Sequence, residues 1–145
     1  MFLGRFAHTI DAKGRLTIPV RFRAAISGGA YVTQGFDRNL LVYTSETFQR
    51  VVERAARLTA TNPEVRAVFR VIFGSAHEVE LDTAGRILIQ SFLREYAQLD
   101  AESTIVGAGQ YFEIWNTEIW KQEAASVTDP EKNARRFADF DLSSG

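Results

Sequence analysis

Hydrophobic and polar residues alternate along two short segments, FAHTID near residue 6 and HEVELD near residue 77. An alternation with a period of two is typical of a half-buried β-strand. Each segment leads into a charged turn with the spacing D-x-x-G-R and then into a second strand-forming segment, RLTIP or RILIQ. The aspartate of such a turn can accept backbone hydrogen bonds, and its glycine can take a positive φ. The pattern therefore predicts a strand, a tight turn and a return strand at two places.

Each return strand is followed by a short helical segment and then by two more strands. The helical segment VRFRAAI follows Pro19, and SFLREYA begins at Ser91, a candidate capping residue. AYVTQGFDRNLLVYT and STIVGAGQYFEIWN each hold a glycine-containing turn between strand-forming runs, which predicts a hairpin. The predicted unit is thus strand, turn, strand, short helix and hairpin.

These two units form an internal repeat, and each copy spans about 40 residues. Identical or similar residues occur at matching positions in the strands, the turns, the short helices and the ends of the hairpins. The aligned segments are 11–18 with 82–89, 22–23 with 93–94, and 42–48 with 114–120. The repeat predicts two similar modules within one chain.

Two helices are predicted between the repeats. Apolar residues recur at helical spacing after a capping position near Thr44, and again after Asn62 and Pro63 until Gly74. A further helix is predicted after Trp120 to about residue 126. The last segment, DPEKNARRFADFDLSSG, lacks a sustained period and is predicted to be poorly ordered.

The predicted organisation has four parts. Residues 1–48 form the first repeat, 49–74 the linker helices, 75–122 the second repeat, and 123–145 a terminal helix with a flexible tail.

Composition narrows the classes of protein that fit. The 145 residues are 46% hydrophobic and include eleven Phe, which is typical of a folded domain. The absence of cysteine excludes disulfides, cysteine-based zinc sites and thiol nucleophiles. The first ten residues do not resemble a signal peptide, and no run approaches the roughly 18 apolar residues of a membrane span. We expect a cytoplasmic protein with no membrane partner.

The net charge of −1 does not by itself indicate a nucleic-acid partner. The charge is unevenly distributed, however. Residues 1–26 hold five basic residues against one acidic residue, for a net charge of +4, whereas residues 74–99 hold two against four, for −2. If the chain binds DNA, we expect the first repeat to supply most of the electrostatic affinity.

The paired motifs DAKGRLTIP and LDTAGRILI, with matching flanks and the segment near 109–115, resemble the MraZ family of bacterial transcriptional regulators. The resemblance covers residues 1 to about 122. It implies a mainly β fold with helices (α+β), in which two tandem AbrB-like modules with swapped hairpins form a pseudo-dimer within the chain. It also implies closed rings, often octamers, that bind short direct repeats in double-stranded DNA. Those repeats lie in the promoter of the division and cell-wall gene cluster that includes the family's own gene, which implies a nucleoid-associated protein.

The family's D-x-x-x-R signature carries the DNA contact, and the resemblance places it in both turns of this chain. Two departures from the family pattern stand out: Gln90 occupies a position where proline is usual, and Ala84 replaces the lysine of the first turn. The candidate DNA-binding residues are Arg15, Lys13, Arg86, Thr9, His8 and Arg5, and the candidate turn-forming residues are Asp11, Gly14, Asp82 and Gly85.

The side chains of the turn suit this role. An arginine presents a planar fork of donors that can pair with guanine O6 and N7 or with a phosphate. Lys13 offers a point charge suited to phosphate. A carboxylate faces a polyanion unfavourably, so Asp11 is expected to fix the turn or to orient Arg15. The alternative is that each arginine has only a structural role and forms an ion pair with the aspartate four residues earlier.

Two other classes of function remain to be weighed. An enzyme could use His8, Thr9 and Asp11, but Val79 and Glu80 replace the first two in the second repeat. No P-loop, dinucleotide motif or metal-ligand cluster is present in the sequence, so we expect no enzyme activity, cofactor, metal or small-molecule substrate. A protein-binding scaffold or antitoxin-like partner is the alternative function, because AbrB-type modules also occur in such proteins.

Overall fold

The computed structural model describes residues 1–142. The first repeat contains strands β1 (Arg5–Thr9), β2 (Arg15–Thr17), β3 (Ala30–Gln34) and β4 (Leu40–Thr44), with the short helix α1 (Val20–Arg23) after β2. Helices α2 (Ser45–Ala55) and α3 (Pro63–Ile72) follow. The second repeat contains β5 (His77–Val79), β6 (Arg86–Leu88), α4 (Ser91–Tyr96), β7 (Glu102–Gly107) and β8 (Tyr111–Asn116), and the chain continues with α5 (Thr117–Val127) and α6 (Pro130–Asp139).

The strands form a six-stranded antiparallel sheet in the order β1-β7-β8-β4-β3-β5 and a separate two-stranded sheet of β2 and β6. Each repeat sends its first strand to the hairpin of the other repeat, because β1 pairs with β7 and β5 pairs with β3. The two return strands pair with each other. The predicted α+β fold of two tandem swapped-hairpin modules is therefore confirmed.

The strand register reveals a pseudo-twofold axis. In the central pair of strands, Leu41 lies opposite Glu113, and in the small sheet Leu16 lies opposite Ile87. In the repeat alignment, Leu16 corresponds to Ile87, and Leu41 corresponds to Glu113. Each of these residues thus faces its own counterpart, as residues on the twofold axis of a symmetric dimer do. The two repeats of the chain are therefore arranged like the two subunits of a symmetric dimer.

One face of the large sheet packs on α1, α4 and the small sheet to form the core. The ring centroid of Phe22 lies 5.0 Å from that of Phe2 and 5.1 Å from that of Phe112. Burial of each large apolar side chain contributes roughly 1.5–3 kcal/mol. The largest fully buried side chains are Phe22, Phe112, Leu16, Ile18, Ile26, Leu40, Ile87, Ile89, Leu93, Ile105, Ile114 and Val32.

Helices α2 and α5 lie on the other face of the sheet, and they are counterparts in the repeat. Thr44 caps α2 by accepting a hydrogen bond from the N–H of Thr47 at 3.0 Å, and Asn116 caps α5. Phe48 of α2 stacks on Tyr31 with a centroid distance of 4.6 Å. No helix among residues 1–142 is long and apolar enough to cross a membrane.

The C-terminal segment differs from the prediction. The terminal helix begins at Thr117 rather than after Trp120, because Asn116 caps it. The interpretation of the following segment as poorly ordered is wrong for Pro130–Asp139, which forms α6. Asp129 accepts hydrogen bonds from the first N–H groups of α6, and Pro130 suits its first turn, so local capping outweighs the weak apolar period. The predicted tail also includes residues 143–145, which lie outside the described residues.

Candidate nucleic-acid interface

The first D-x-x-G-R turn is closed by one carboxylate. Asp11 Oδ1 accepts hydrogen bonds from the N–H groups of Lys13 at 3.0 Å and Arg15 at 2.9 Å. Asp11 Oδ2 accepts from Nε of Arg15 at 2.7 Å. Gly14 adopts a φ of +86°, which only glycine takes without strain. The backbone and the guanidinium of Arg15 are thus fixed by the same side chain.

The second turn repeats this geometry. Asp82 Oδ1 accepts from the N–H groups of Ala84 and Arg86, both at 2.9 Å, and Oδ2 accepts from Nε of Arg86 at 2.9 Å. Gly85 has a φ of +77°. Backbone N–H groups lower the pKa of both aspartates, Asp11 and Asp82, with a further lowering from the arginine side chains. Both carboxylates therefore carry their charge at neutral pH.

The two turns lie side by side. The N–H of Ile18 donates to the carbonyl of Gly85 at 3.0 Å, and the N–H of Ile89 donates to the carbonyl of Gly14 at 2.8 Å. Across the same junction, Nη1 of Arg86 lies 3.6 Å from Oδ2 of Asp11. The repeats therefore contribute to one surface, which we call the paired-turn surface and define as residues 11–15 and 82–86.

Each arginine of this surface is held at one end. Arg15 and Arg86 use Nε to bind their own aspartates, and their side chains are 36% and 29% exposed. Among residues 1–142, the Nη groups of Arg15 take part in no hydrogen bond, and Arg86 uses Nη1 only for the longer contact with Asp11. The ion pair considered as a purely structural alternative is present, and it leaves donors available to a ligand.

Two arginines that are not among the candidate DNA-binding residues lie against the glycines of the two turns. A Cβ added to Gly85 would overlap the guanidinium of Arg23, and one added to Gly14 would overlap Nη1 of Arg94. Each arginine belongs to the short helix of the repeat opposite to the glycine that it covers. Nε of Arg23 also donates to the carbonyl of Ile18 at 2.9 Å. Both turns thus favour glycine for its φ. At Gly14 space also matters, because an added Cβ would lie 2.9 Å from the backbone carbonyl oxygen of Ile89, whereas at Gly85 the three nearest atoms all belong to the flexible end of the Arg23 side chain.

The other candidates lie at different distances from the turns. Lys13 is exposed on the first turn, and Thr9 is exposed at the end of β1 that leads into it. His8 is half-buried; burial lowers its pKa, and the nearby charge of Arg23 lowers it further, which favours a neutral imidazole.

Arg5 lies apart from the other candidates. It begins β1, about 20 Å from Asp11 along the strand, and its guanidinium lies 5.0 Å from the ring centroid of Trp120. The structure brings together Lys13, Arg15 and Arg86, with Thr9 and His8 on the adjoining strand, but it does not bring Arg5 to them. Within residues 1–142, no group of three or more His, Asp or Glu side chains is arranged to hold a metal ion.

Comparison with known proteins decides the family. A family model described as "MraZ protein, putative antitoxin-like" matches residues 1–71 and 72–140, which together make up nearly the whole chain. The chain belongs to the MraZ family. Each of the two matched MraZ units ends in a helical segment, the first within α3 and the second just after α6.

Curated MraZ relatives are similar over most of their length. The chain is 46% identical to the "Transcriptional regulator MraZ" of Thermomicrobium roseum over 124 residues, which are 86% of this chain and 87% of the relative. It is 42% identical to the protein of that name from Desulfitobacterium hafniense over 92% of this chain and 94% of the relative. The corresponding figures for Carboxydothermus hydrogenoformans are 40% identity, 97% and 99%.

The candidate residues predicted from the sequence did not include Arg23 and Arg94, whose guanidinium groups cover the two glycines of the paired-turn surface. A signal was available, because these arginines occupy matching positions in the repeat alignment and are identical. Their contact with the opposite glycines could not be read from the alignment, since it depends on the exchange of strands between repeats.

Proposed function

We propose that this chain is a sequence-specific DNA-binding transcriptional regulator and that its paired-turn surface contacts the DNA. The observation that carries the proposal is the duplicated geometry of the two turns. Each turn holds an arginine by Nε while leaving Nη donors available, and the two arginines lie on one surface. The names of the relatives support the same function.

The chemistry of the surface favours arginine as the main contact. A guanidinium fixed by a carboxylate loses less conformational freedom on binding, and its remaining donors can reach a guanine edge or a phosphate. Lys13 is suited to a phosphate. Asp11 and Asp82 would repel DNA if they faced it alone, and their hydrogen bonds to the arginines support a positioning role for them.

One protomer offers few phosphate contacts. A module with about three of them would show a slope near −2.7 in log affinity against log salt, together with weak binding. Several protomers acting together would raise the affinity, since later contacts become intramolecular. This arithmetic supports a homo-oligomer, and the family resemblance supports a ring that reads direct repeats in the promoter of the division and cell-wall gene cluster.

Fluorescence anisotropy tests the proposal on a duplex from the promoter upstream of the protein's own gene. We expect salt-sensitive binding that prefers this duplex over a scrambled one and collapses in Arg15→Ala. Only the first turn has a lysine, Lys13, because Ala84 occupies the matching position in the second turn. Arg86→Ala is therefore expected to weaken binding less than Arg15→Ala does. Lys121→Ala, which removes one positive charge from an exposed position on α5 outside the paired-turn surface, is the matched control.

Binding that is indifferent to Arg15, or that is lost equally in Lys121→Ala, would contradict the proposal. The alternative is a protein-binding or antitoxin-like role, which the description of the family model favours. That alternative predicts co-purification of a stoichiometric partner protein and no preference for the promoter duplex.

A further inference from the structure

The end of α6 carries an unusual group of exposed apolar side chains. Phe137, Phe140 and Leu142 are 52%, 74% and 62% exposed, and every residue from 130 to 142 except these three is polar, alanine or proline. The helix ends with Asp141 at a φ of +50° and with the N–H of Leu142 donating to the carbonyl of Phe137 at 3.2 Å. This hydrogen-bonded ending brings Leu142 next to Phe137, and Phe140 lies between them along the chain. We call residues 137–142 the apolar tip.

The N-terminus of α6 resembles that of α3. The sequence TNPE opens α3 and TDPE opens α6, and in each case the second residue caps the helix ahead of a proline. Helix α3 is packed onto the protein: Phe73, which directly follows it, lies 5.9 Å from Phe48 of α2, centroid to centroid. The carbonyl of Ile72 accepts a hydrogen bond from Thr33 Oγ1 at 2.6 Å. Helix α6 has the same opening but no buried residue.

A sequence difference explains why α6 is not packed on α5 as α3 is packed on α2. When TNPE is aligned with TDPE, Phe69 and Ile72 of α3 correspond to Arg136 and Asp139 of α6. In the repeat alignment, Val51 of α2 corresponds to Glu123 of α5. An apolar contact cannot form between these polar positions, so the apolar residues of α6 are left at its tip.

An apolar groove of suitable character lies between α2 and α3. Its volume is about 270 Å³, and Arg54 is the only charged residue that lines it. Leu58 and Val68, at its rim, are 54% and 47% exposed. The other lining residues are Val51, Ala55, Phe69, Ile72 and Phe73.

The groove and the apolar tip are complementary in charge. Residues 45–73 carry five arginines and three glutamates, for a net charge of +2. The tip carries two aspartates, Asp139 and Asp141, and no basic residue, for a net charge of −2. Docking would place the aspartates near the arginines while the phenylalanines enter the groove, which is the arrangement of a specific interface.

The connection between α5 and α6 is short, and none of the residues that line the groove belongs to the tip of the same copy. Only Thr128 and Asp129 separate the two helices, and Asn133 Nδ2 donates to the carbonyl of Val127 at 2.7 Å. Helix α5 packs on β7 and β8, whereas α2 and α3 pack on β3 and β4. An arm that is fixed at its base and apolar at its end is suited to reach another copy.

We propose that the apolar tip of one copy docks into the α2–α3 groove of a second copy of this chain. The contact is heterologous, since tip and groove are different surfaces, and each copy would both give a tip and receive one. Such contacts close into a ring or propagate. The proposal supplies a contact for the oligomer put forward above but does not depend on DNA binding.

Cysteine cross-linking tests the docking of the tip in the groove directly, because the full chain contains no cysteine of its own. Phe140→Cys and Val68→Cys are made in separate, differently tagged chains, which are mixed without DNA and oxidised. We expect several-fold more cross-linked heterodimer than from Phe36→Cys mixed with Val68→Cys, since Phe36 is an equally exposed phenylalanine, 70% accessible, in the β3–β4 turn. Equal yields from the two mixtures would overturn the proposal.

A chain carrying both Phe140→Cys and Val68→Cys separates the possible occupants of the groove. At high dilution, a monomer with an internal disulfide would show that the tip docks in its own groove and would overturn the proposal. Light scattering gives a second readout: Phe137→Ser with Phe140→Ser is expected to lower the molar mass of the assembly, and Phe36→Ser is expected to leave it unchanged. An unchanged mass in the double variant would also count against the proposal.

The same preparations separate this proposal from the proposed function. If promoter binding depends on Arg15 but the cross-link is not selective, only the docking contact is wrong. If the cross-link is selective but anisotropy shows no promoter preference, the contact stands and the DNA-binding function falls.

Discussion

Replacing Gly14 by alanine tests the interlocking of the two repeats. Gly14 has a φ of +86°, and an L residue in the left-handed region costs about 1–2 kcal/mol. A Cβ at this position would also overlap Nη1 of Arg94 and lie 2.9 Å from the carbonyl oxygen of Ile89. The side chain of Arg94 must therefore move, and so must the backbone of Ile89, which donates its N–H to Gly14.

The expected cost is the sum of these two effects. Weakening the Ile89–Gly14 hydrogen bond adds about 0.5–1.5 kcal/mol to the backbone strain. We expect Gly14→Ala to lower the free energy of unfolding by about 1.5–3.5 kcal/mol. For a chain of this length, that corresponds to a fall in Tm of about 5–12 °C.

Gly109→Ala is the matched control for backbone strain. Gly109 has a φ of +88°, but a Cβ there would meet nothing within 4 Å. Only the strain is then expected, about 1–2 kcal/mol. Urea unfolding followed by the fluorescence of Trp115 and Trp120 measures both variants, at one protein concentration because association adds to apparent stability. Equal destabilisation of the two variants would refute the argument that Arg94 and Ile89 close over Gly14.

Three further predictions concern single side chains. The pKa of Asp11 is lowered in the folded protein, so its stabilising contribution is present at neutral pH and is lost as the pH falls through the folded-state pKa. The difference in Tm between wild type and Asp11→Asn should therefore narrow below about pH 4. A difference that stays constant from pH 7 to pH 2 would contradict this. Burial raises the pKa of Glu113, so folding opposes its ionisation, and Glu113→Gln should raise the Tm at pH 7 but not near pH 4, while still accepting from Trp115. Gln90 has a φ of −60° and a ψ of 148°, which are close to the −52° and 137° of Pro19. Gln90→Pro should therefore keep the fold and add about 0.4–1 kcal/mol to the free energy of unfolding, measured by thermal unfolding. A lower Tm would show that this position does not tolerate proline.

The turns were predictable because their geometry is local. An aspartate that accepts from N–H groups two and four residues later, followed by a glycine with positive φ, needs nothing beyond five consecutive residues. The positions of Lys13, Arg15 and Arg86 on the turns were predictable for the same reason, whereas their choice as candidate DNA contacts rested on the family resemblance. Arg5 was grouped with them by its charge alone, and its contact with Trp120 depends on how α5 packs over the sheet.

The C-terminal segment shows the opposite case. The segment is polar and has no apolar period sustained over its whole length, and the pattern therefore predicted little order. The cap at Asp129 and the proline after it were present in the sequence, and they repeat the opening of α3. These residues are a local signal for a helix, but the polar composition of the segment favoured the opposite prediction.

The sequence by itself determined the two turns, the short elements around them and their duplication, because each depends on contacts between neighbours along the chain. Only the tertiary structure decided which strand pairs with which. It exchanged β1 and β5 between the repeats, paired β2 with β6, and so brought Arg86 to within 3.6 Å of Asp11 across 75 residues. A repeat does not reveal whether its copies pair within themselves or with each other, since both arrangements satisfy the same alternation; the burial of the common core selects one.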